Sequence, residues 1–190
     1  MRNRIVLALD IGTALGWAVQ LADGRVQSGR HELPKGQRQG VRLHAFRVWL
    51  VDQLTRLGEV DTVIWEHAHQ QLGSANEVHH NLVGVLLDFA ERNRVTDYHS
   101  VEVSTLKAFA TGSGTADKAA MINAARAAGY PVRSHDEADA IHLLRYEIHG
   151  QREADLPRLA EARAKRKVQA KKRREKAKVA ANQNAARATA

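Results

Sequence analysis

The feature that most constrains the fold is a run of five apolar residues near the start of the chain, Ile5 to Leu9, which ends at Asp10. A short run that is apolar without alternation is typical of a strand buried on both faces. Such a strand lies inside a sheet that is covered by helices. The segment therefore favours an α/β architecture, with Asp10 at the carboxyl end of an interior strand.

Periodicity and turn-forming residues predict the order of the other elements. Asp23-Gly24 is a strong hairpin signal between two further strands. Helices are indicated where apolar residues recur at three- and four-residue steps between capping residues and glycines. The predicted elements after the first strand are strands 17–21 and 26–32, helix 41–57, strand 60–65, helix 76–92, strand 99–103, and helices 104–110, 115–128 and 137–149. Early hairpins followed by strand–helix alternation predict a mixed five-stranded sheet flanked by helices.

Charge divides the chain into two segments. Residues 1–150 contain 16 Lys/Arg and 17 Asp/Glu, whereas residues 151–190 contain 13 Lys/Arg and 4 Asp/Glu. Residues 160–190 are helix-prone in composition but have no sustained apolar stripe, so we expect them to be disordered or transiently helical in isolation. We therefore predict one folded domain over 1–150 and a basic Ala/Lys/Arg-rich tail over 151–190, whose charge suits a polyanion such as nucleic acid.

Two features of the composition bear on the compartment. The chain has no cysteine, which excludes disulfides and thiolate metal sites and fits a reducing environment. No apolar run approaches the roughly 18 residues that span a bilayer, and the run before Asp10 is too short for a signal-peptide core. We expect an intracellular, cytoplasmic protein.

Four carboxylates fall where a sheet of this kind would bring them together. Asp10 and Glu66 each follow a predicted strand, and they emerge at one sheet edge if these strands are parallel neighbours. Asp136 and Asp139 are three residues apart at the start of the last helix, so they share one helical face. Four such groups repel unless a cation is present, and hard oxygen ligands suit Mg²⁺ or Mn²⁺. Two ions about 3.5–4 Å apart can hold an in-line phosphodiester displacement without a side-chain nucleophile.

Each of these acids also has a structural interpretation. Asp10 suits a turn, Glu66 a strand end at the surface, Asp136 a helix N-cap, and Asp139 a first-turn acid that complements the helix dipole. Taken alone, any one of them is more often structural than metal-binding. Their joint placement, with Asp10 and Asp139 among apolar neighbours, favours a metal site.

A set of ordered motifs links these acids to a known family. The segments are Ile5 to Thr13, Gly16 to Ala18, Val63 to Glu66, Val103 to Lys118 and Asp136 to Ala140. Together they span about residues 4–149 and resemble the RuvC family of Holliday-junction resolvases, which belongs to the RNase H-like superfamily. The first motif alone is weak, whereas the ordered set with both Lys107 and Lys118 is fairly specific.

The resemblance implies an RNase H-like fold and a crossover junction endodeoxyribonuclease of DNA recombination and repair. Such an enzyme is a homodimer that binds branched DNA and makes paired nicks in opposing strands of a four-way junction. The helix over 76–92 would form the dimer contact, and the basic tail would add contacts to nucleic acid. The setting could be host recombination or phage DNA processing in the host cytoplasm.

The resemblance also assigns the site residues. Two Mg²⁺ or Mn²⁺ ions per site are expected, and two lysines would contact phosphate or stabilise the transition state. The implied metal ligands are Asp10, Glu66, Asp136 and Asp139, and the implied lysines are Lys107 and Lys118. Residues 67–72 depart from the family, because they contain no aromatic residue where the family can insert one into the junction. His69 or Leu72 would have to take that role.

The histidines invite a zinc-site interpretation, which their spacing does not favour. We expect most of them to be polar surface or DNA-contacting residues. His135 is the exception, because it adjoins Asp136 and is a candidate metal or proton partner. The residues considered are His67, His69, His79, His80, His135 and His142.

Three other functions remain open. The first is an RNase H-like nuclease that acts on flaps, forks or RNA–DNA hybrids with the same metal chemistry. The second is an ATP-binding protein of the actin and sugar-kinase type, which also begins with a strand followed by an Asp-x-Gly-Thr turn, here residues 10–13. Such proteins need two domains and a second phosphate loop, for which the chain has too few residues. The third is a non-catalytic DNA-binding protein, which the set of four carboxylates disfavours.

Overall fold

The computed structural model describes residues 2–67 and 74–150, together with seven single positions between 154 and 174. The chain divides into two units, Met1–His149 and Gly150–Ala190. His69, Leu72 and most of the basic tail lie outside the described residues. The assignment of nuclease and DNA-binding roles to the two segments of the chain remains a prediction.

Five strands and five longer helices form the described part of the first unit. The strands are β1 Val6–Asp10, β2 Ala14–Gln20, β3 Val26–Glu32, β4 Thr62–His67 and β5 Asp97–Glu102. The helices are α1 Gln39–Leu57, α2 Ser74–Arg92, α3 Val103–Thr111, α4 Lys118–Ala127 and α5 His135–Ile148.

The strands form one mixed sheet in the order β3-β2-β1-β4-β5. β1 pairs with β2 and β2 with β3 in antiparallel fashion, whereas β4 lies parallel to both β1 and β5. The predicted mixed five-stranded sheet is confirmed, and the first and fourth strands are parallel neighbours, which is the condition for Asp10 and Glu66 to emerge at one sheet edge. β1 therefore occupies the centre of the sheet, as its uninterrupted apolar run requires.

Strand alternation divides the core into two layers. Leu7 and Leu9 of β1 belong to a cluster with residues of α1 and α2, such as Phe46 and Leu86. Val6 and Ala8 belong to a second cluster, formed mainly with residues of α3, α4 and α5. Since successive side chains of a strand point to opposite faces, Asp10 lies on the same face as Val6 and Ala8, which is the face that α5 covers.

Three strands differ by two residues or more from the sequence prediction, and β5, predicted over 99–103, spans Asp97–Glu102. β4 continues to His67, so Glu66 lies within the strand instead of following it, because β5 runs long enough to place Val101 opposite Glu66. β2 begins at Ala14 and not at Trp17, since its pairing with β3 extends to the Ala14–Glu32 position. Cross-strand pairing, which local sequence does not encode, sets both limits.

The helix starts also differ from the prediction by one to three residues, and capping side chains explain the starts of α4 and α5. Asp117 caps α4, which was predicted to begin at 115, because its side chain accepts a hydrogen bond of 2.8 Å from the backbone N–H of Ala120. Ser134 caps α5 by accepting a hydrogen bond of 3.2 Å from the backbone N–H of Glu137. Asp136 is therefore a first-turn residue of α5 and is not needed as its cap.

Candidate functional site

The carboxyl ends of β1 and β4 form the base of the candidate site. Leu9 lies level with Trp65 in the parallel pair, so the next residues lie side by side: Asp10 at the end of β1 and Glu66 one residue before the end of β4. Glu66 has the same strand parity as Ile64, which belongs to the core layer under α5. Both carboxylates therefore emerge on the face of the sheet that α5 covers.

The first turn of α5 lies directly over β2 at this edge. A Cβ atom added to Gly16 would lie 1.9 Å from the backbone oxygen of Asp136 and 2.3 Å from its carbonyl carbon. Gly16 is the cross-strand partner of Asp10. The absence of a side chain at Gly16 is what lets the helix approach closely enough to bring Asp136 and Asp139 to the strand ends.

Three of the four acids have raised pKa values for the same physical reasons. Burial raises the pKa of Asp10 well above its usual range, and repulsion from Glu66 and then Asp139 adds to the effect. The pKa of Glu66 rises to about 7, through burial and repulsion from Asp139. The pKa of Asp139 rises to about 6, mainly through burial. Asp10, Glu66 and Asp139, which we term the acidic triad, are therefore buried acids within electrostatic range of one another.

Two lysines partly offset this repulsion. The positive charge of Lys107, on α3, lowers the pKa of both Glu66 and Asp139 against the effect of burial. The charge of Lys118, at the start of α4, does the same for Asp10 and Asp139. Lys118 is exposed and Lys107 is partly exposed, so each ammonium group can also meet a ligand. The structure thus brings both predicted lysines within electrostatic range of the predicted carboxylates.

The fourth predicted acid, Asp136, has a different environment. Nε of Arg30 donates a hydrogen bond of 2.7 Å to Oδ2 of Asp136, and Nδ1 of His135 lies 2.9 Å from Oδ1. Arg30 was not identified by sequence analysis. Its place in the site follows from the β2–β3 register, which puts it opposite Gly16, and nothing in the local sequence marks that pairing.

Three of the histidines considered in the sequence lie in different environments. Nε2 of His135 lies 3.3 Å from Nζ of Lys118, and its role as a metal or proton partner stays a prediction. His142 is fully buried, with Nε2 2.9 Å from the backbone oxygen of Met121, and the expected surface role is wrong for it. Nδ1 of His79 donates to the backbone oxygen of Ile11 at 2.9 Å, which ties α2 to the turn that follows Asp10.

The donor set fits a hard divalent cation in its chemistry. Carboxylates that hold one another's pKa values high are the groups that a dication would stabilise most. Within residues 2–67 and 74–150, however, no three His, Asp or Glu side chains are gathered closely enough to hold a metal ion as they stand. The four-ligand, two-ion site therefore stays a prediction. None of the described helices combines the length and hydropathy required to cross a bilayer.

Comparisons with known proteins bear on the fold. No family model matches the chain, and no curated protein sequence matches it. Among solved structures, RuvC of Thermus thermophilus superposes with a TM-score of 0.62 at 18% identity, covering 77% of this chain and 96% of that one. The same organism's RuvC in complex with a Holliday junction substrate gives a TM-score of 0.62 at 20% identity, covering 74% and 90%. The first unit of the chain therefore has the fold of the RuvC structures.

Proposed function

We propose that the chain is a metal-dependent, structure-selective endonuclease that resolves four-way (Holliday) DNA junctions by paired phosphodiester hydrolysis. The observation that carries this proposal is the acidic triad, with its raised pKa values and two neighbouring lysines. Acids with strongly shifted pKa values are typical of functional sites, because burying such acids lowers the stability of a protein that makes no functional use of them. The junction is proposed as the substrate because a protein of the same fold has been solved with one.

The metal ligands that we propose are Asp10, Glu66 and Asp139. They would hold Mg²⁺ or Mn²⁺, and two ions per site are the proposed complement. When bound, the metal supplies Lewis-acid chemistry, since it lowers the pKa of water and stabilises charge on phosphate oxygens. The triad must be ionised to act as ligands, so metal affinity should rise with pH as Asp139 and Glu66 lose their protons near pH 6 and pH 7.

The lysines would act on the phosphate. Lys118 is exposed at the start of α4, and Lys107 lies on the opposite flank next to Glu66. We propose that their ammonium groups bind the non-bridging oxygens of the scissile phosphate, where negative charge grows in the transition state. Their placement beside acids also keeps the net charge of the site from excluding a polyanion.

Paired nicks require two sites, and we propose that α2 forms a homodimer contact that supplies them. Gly84 is exposed in the middle of α2, and a Cβ atom there would meet nothing within 4 Å. A mid-helix glycine costs about 1 kcal/mol relative to alanine, so its presence suits close approach by another helix. Light scattering should show a dimer, and Gly84→Glu should shift it toward a monomer.

The basic tail, residues 151–190, is proposed to add phosphate contacts. Its removal should weaken junction binding and reduce the salt dependence of the affinity, whose slope is about −0.9 per neutralised phosphate. The position of the nicks should not change, because no predicted site residue lies in the tail. Loss of all cleavage at saturating protein would show that the tail belongs to the active machinery.

The experiment that tests the proposal is cleavage of a labelled synthetic four-way junction by the full chain. A linear duplex, a flap, a fork and an RNA–DNA hybrid serve as comparison substrates, each with Mg²⁺ and with chelator. Paired, metal-dependent nicks confined to the junction are expected. Equal cutting of flaps, forks or hybrids would instead assign the site to a nuclease of broader or different substrate, and cleavage that survives chelation would contradict the metal assignment.

A further inference from the structure

Arg30 reaches the site because of a row of residues that crosses the sheet. Asp10 on β1 is level with Gly16 on β2, and Gly16 is level with Arg30 on β3. All three positions are on the face under α5. Since Gly16 has no side chain, the first turn of α5 can lie above it, and the Arg30 side chain meets Asp136 there. The sheet register and the position of α5 over Gly16 therefore bring Arg30 and Asp136 together.

Both carboxylate oxygens of Asp136 have close partners. Oδ2 accepts the 2.7 Å hydrogen bond from Arg30, and Oδ1 lies 2.9 Å from Nδ1 of His135. The Asp136 side chain is only 9% exposed, whereas those of Arg30 and His135 are each 40% exposed, so the pairs lie at the edge of the protein interior. A dication that approached this carboxylate would meet the guanidinium charge of Arg30 at nearly the same distance. Coulomb repulsion between like charges at such a separation opposes direct ligation.

The electrostatic contacts of Asp136 differ from those of the acidic triad. Its repulsion of Asp10 is smaller than that of Glu66 or Asp139, and it is not among the groups that raise the pKa of Glu66. It does raise the pKa of Asp139, which lies three residues further along α5. Asp136 is therefore coupled mainly to its neighbour on the helix and less to the acids at the strand ends.

His135 connects Asp136 to a lysine of the site. The Lys118 ammonium can only donate, so Nε2 of His135, 3.3 Å from it, must accept. The ring proton then lies on Nδ1, which faces Oδ1 of Asp136. A histidine held in one tautomer by a carboxylate has a fixed ring orientation, and it passes that orientation to its other partner. Lys118 in turn lies within electrostatic range of Asp10 and Asp139.

We propose that Asp136 is not a direct metal ligand but the anchor of a positioning chain, Arg30–Asp136–His135–Lys118, that fixes the Lys118 ammonium beside the acidic triad. The inference rests on the proposed function for its metal ion. It assigns Arg30 and His135 roles as positioning residues. The side chains that bind the metal directly are then those of Asp10, Glu66 and Asp139.

Metal binding without DNA tests the role of Asp136 directly. Mn²⁺ would be titrated into the full-length protein and its variants, and the bound ion followed by electron paramagnetic resonance. Glu66→Gln and Asp139→Asn should each weaken Mn²⁺ affinity at least 10-fold, as loss of a ligand does. Asp136→Asn should weaken it less than about 3-fold, because a neighbouring charge is lost but no ligand. A loss with Asp136→Asn equal to that with Asp139→Asn would overturn the proposal.

A double-mutant cycle tests the connection to Lys118. His135→Ala should lower kcat at least 10-fold on the junction with little change in KM, and His135→Gln, which keeps an acceptor, should recover part of the loss. In a Lys118→Ala background, His135→Ala should have almost no further effect, because the residue that it positions is gone. Independent, multiplying losses would refute the positioning role. His149→Asn, at the exposed end of α5, and Arg25→Gln, an exposed arginine paired with Asp23, are controls for general damage.

The Mn²⁺ titration and the double-mutant cycle distinguish a failure of this inference from a failure of the proposed function. A protein that cuts none of the substrates would refute the proposed nuclease function, yet the ranking of Mn²⁺ affinities would still decide the role of Asp136. A protein that binds no Mn²⁺ at all would remove the metal site, and the inference would fall with it.

Discussion

The two ends of the central sheet carry opposite electrostatic arrangements. Where β1, β4 and β5 begin, the acids have cationic partners. Arg2 pairs with Asp61 through two contacts of 3.0 Å, and Arg4 lies 2.6 Å from Asp97. These bonds, with one from the backbone N–H of Ile5, hold the pKa of Asp61 below its usual range. This end is arranged as a stabilising polar cluster.

Where β1 and β4 end, the acidic triad has the opposite property. Burial, with added repulsion from neighbouring acids, raises the pKa values of Asp10, Glu66 and Asp139, so their ionisation opposes folding. The surroundings therefore favour the ionised form of an acid at the start of these neighbouring strands and disfavour the ionised form of the acids at their end. A chain selected for stability alone would remove the second arrangement, so its presence indicates function.

The largest expected effect comes from Asp10→Asn. Cleavage of the four-way junction should fall at least about 1,000-fold, because the substitution removes a central metal ligand from the proposed site. Junction binding, measured with chelator present, should remain. The melting temperature should hold or rise, since the buried charge is gone, and this separates loss of chemistry from loss of fold. Cleavage that is retained in Asp10→Asn would contradict the metal assignment. Asp52→Asn, on the exposed surface of α1, is the matched control.

Gly16→Ala should have the next largest effect. The new methyl group would collide with the backbone of Asp136, which cannot swing aside as a side chain could. Displacement of α5 by about 1 Å can cost about 100-fold in kcat, and stability should fall as well. Gly40→Ala on α1, where a Cβ atom meets nothing within 4 Å, should change neither cleavage nor melting. Wild-type rates for Gly16→Ala would show that this contact does not set the site.

The difference between the two ends also explains how far sequence analysis could go. The apolar run into Asp10 and the strand before Glu66 predicted two buried strands, and the meeting of two acids on the condition that these strands were parallel neighbours. Arg30 and Gly16 could not be identified, because their roles depend on the register of two antiparallel pairs and on where α5 crosses them. Contacts that follow from one strand's own pattern are predictable, whereas contacts between non-adjacent elements are not.

Asp61→Asn tests the opposite end with the same chemical change. The free energy of unfolding should fall by about 1–2 kcal/mol, because a charged acceptor of hydrogen bonds from Arg2 and from the backbone of Ile5 is lost at a partly exposed position. Cleavage and Mn²⁺ affinity should stay at wild-type levels. Chemical denaturation and the junction assay together measure both. A loss of cleavage as large as that of Asp10→Asn would break the functional distinction between the two ends.

The last prediction concerns how the stability of Glu66→Gln depends on pH, and its sign follows from the raised pKa of Glu66. The folded-state pKa of Glu66, about 7, is raised above the ordinary glutamate value of 4.5, so the folded state binds the proton more tightly than the unfolded state does. Stability from the protonated form is complete below about pH 4.5 and is lost as pH rises toward 7. Glutamine cannot ionise, so the variant should gain about 1 kcal/mol over wild type for each pH unit between pH 5 and pH 7 in metal-free buffer. Mn²⁺ should reverse this ranking at pH 8, because it stabilises only a protein that keeps the ligand. A stability difference that does not change with pH would mean that Glu66 is ionised at no cost, and the contrast between the two ends of the sheet would then rest on Asp10 and Asp139 alone.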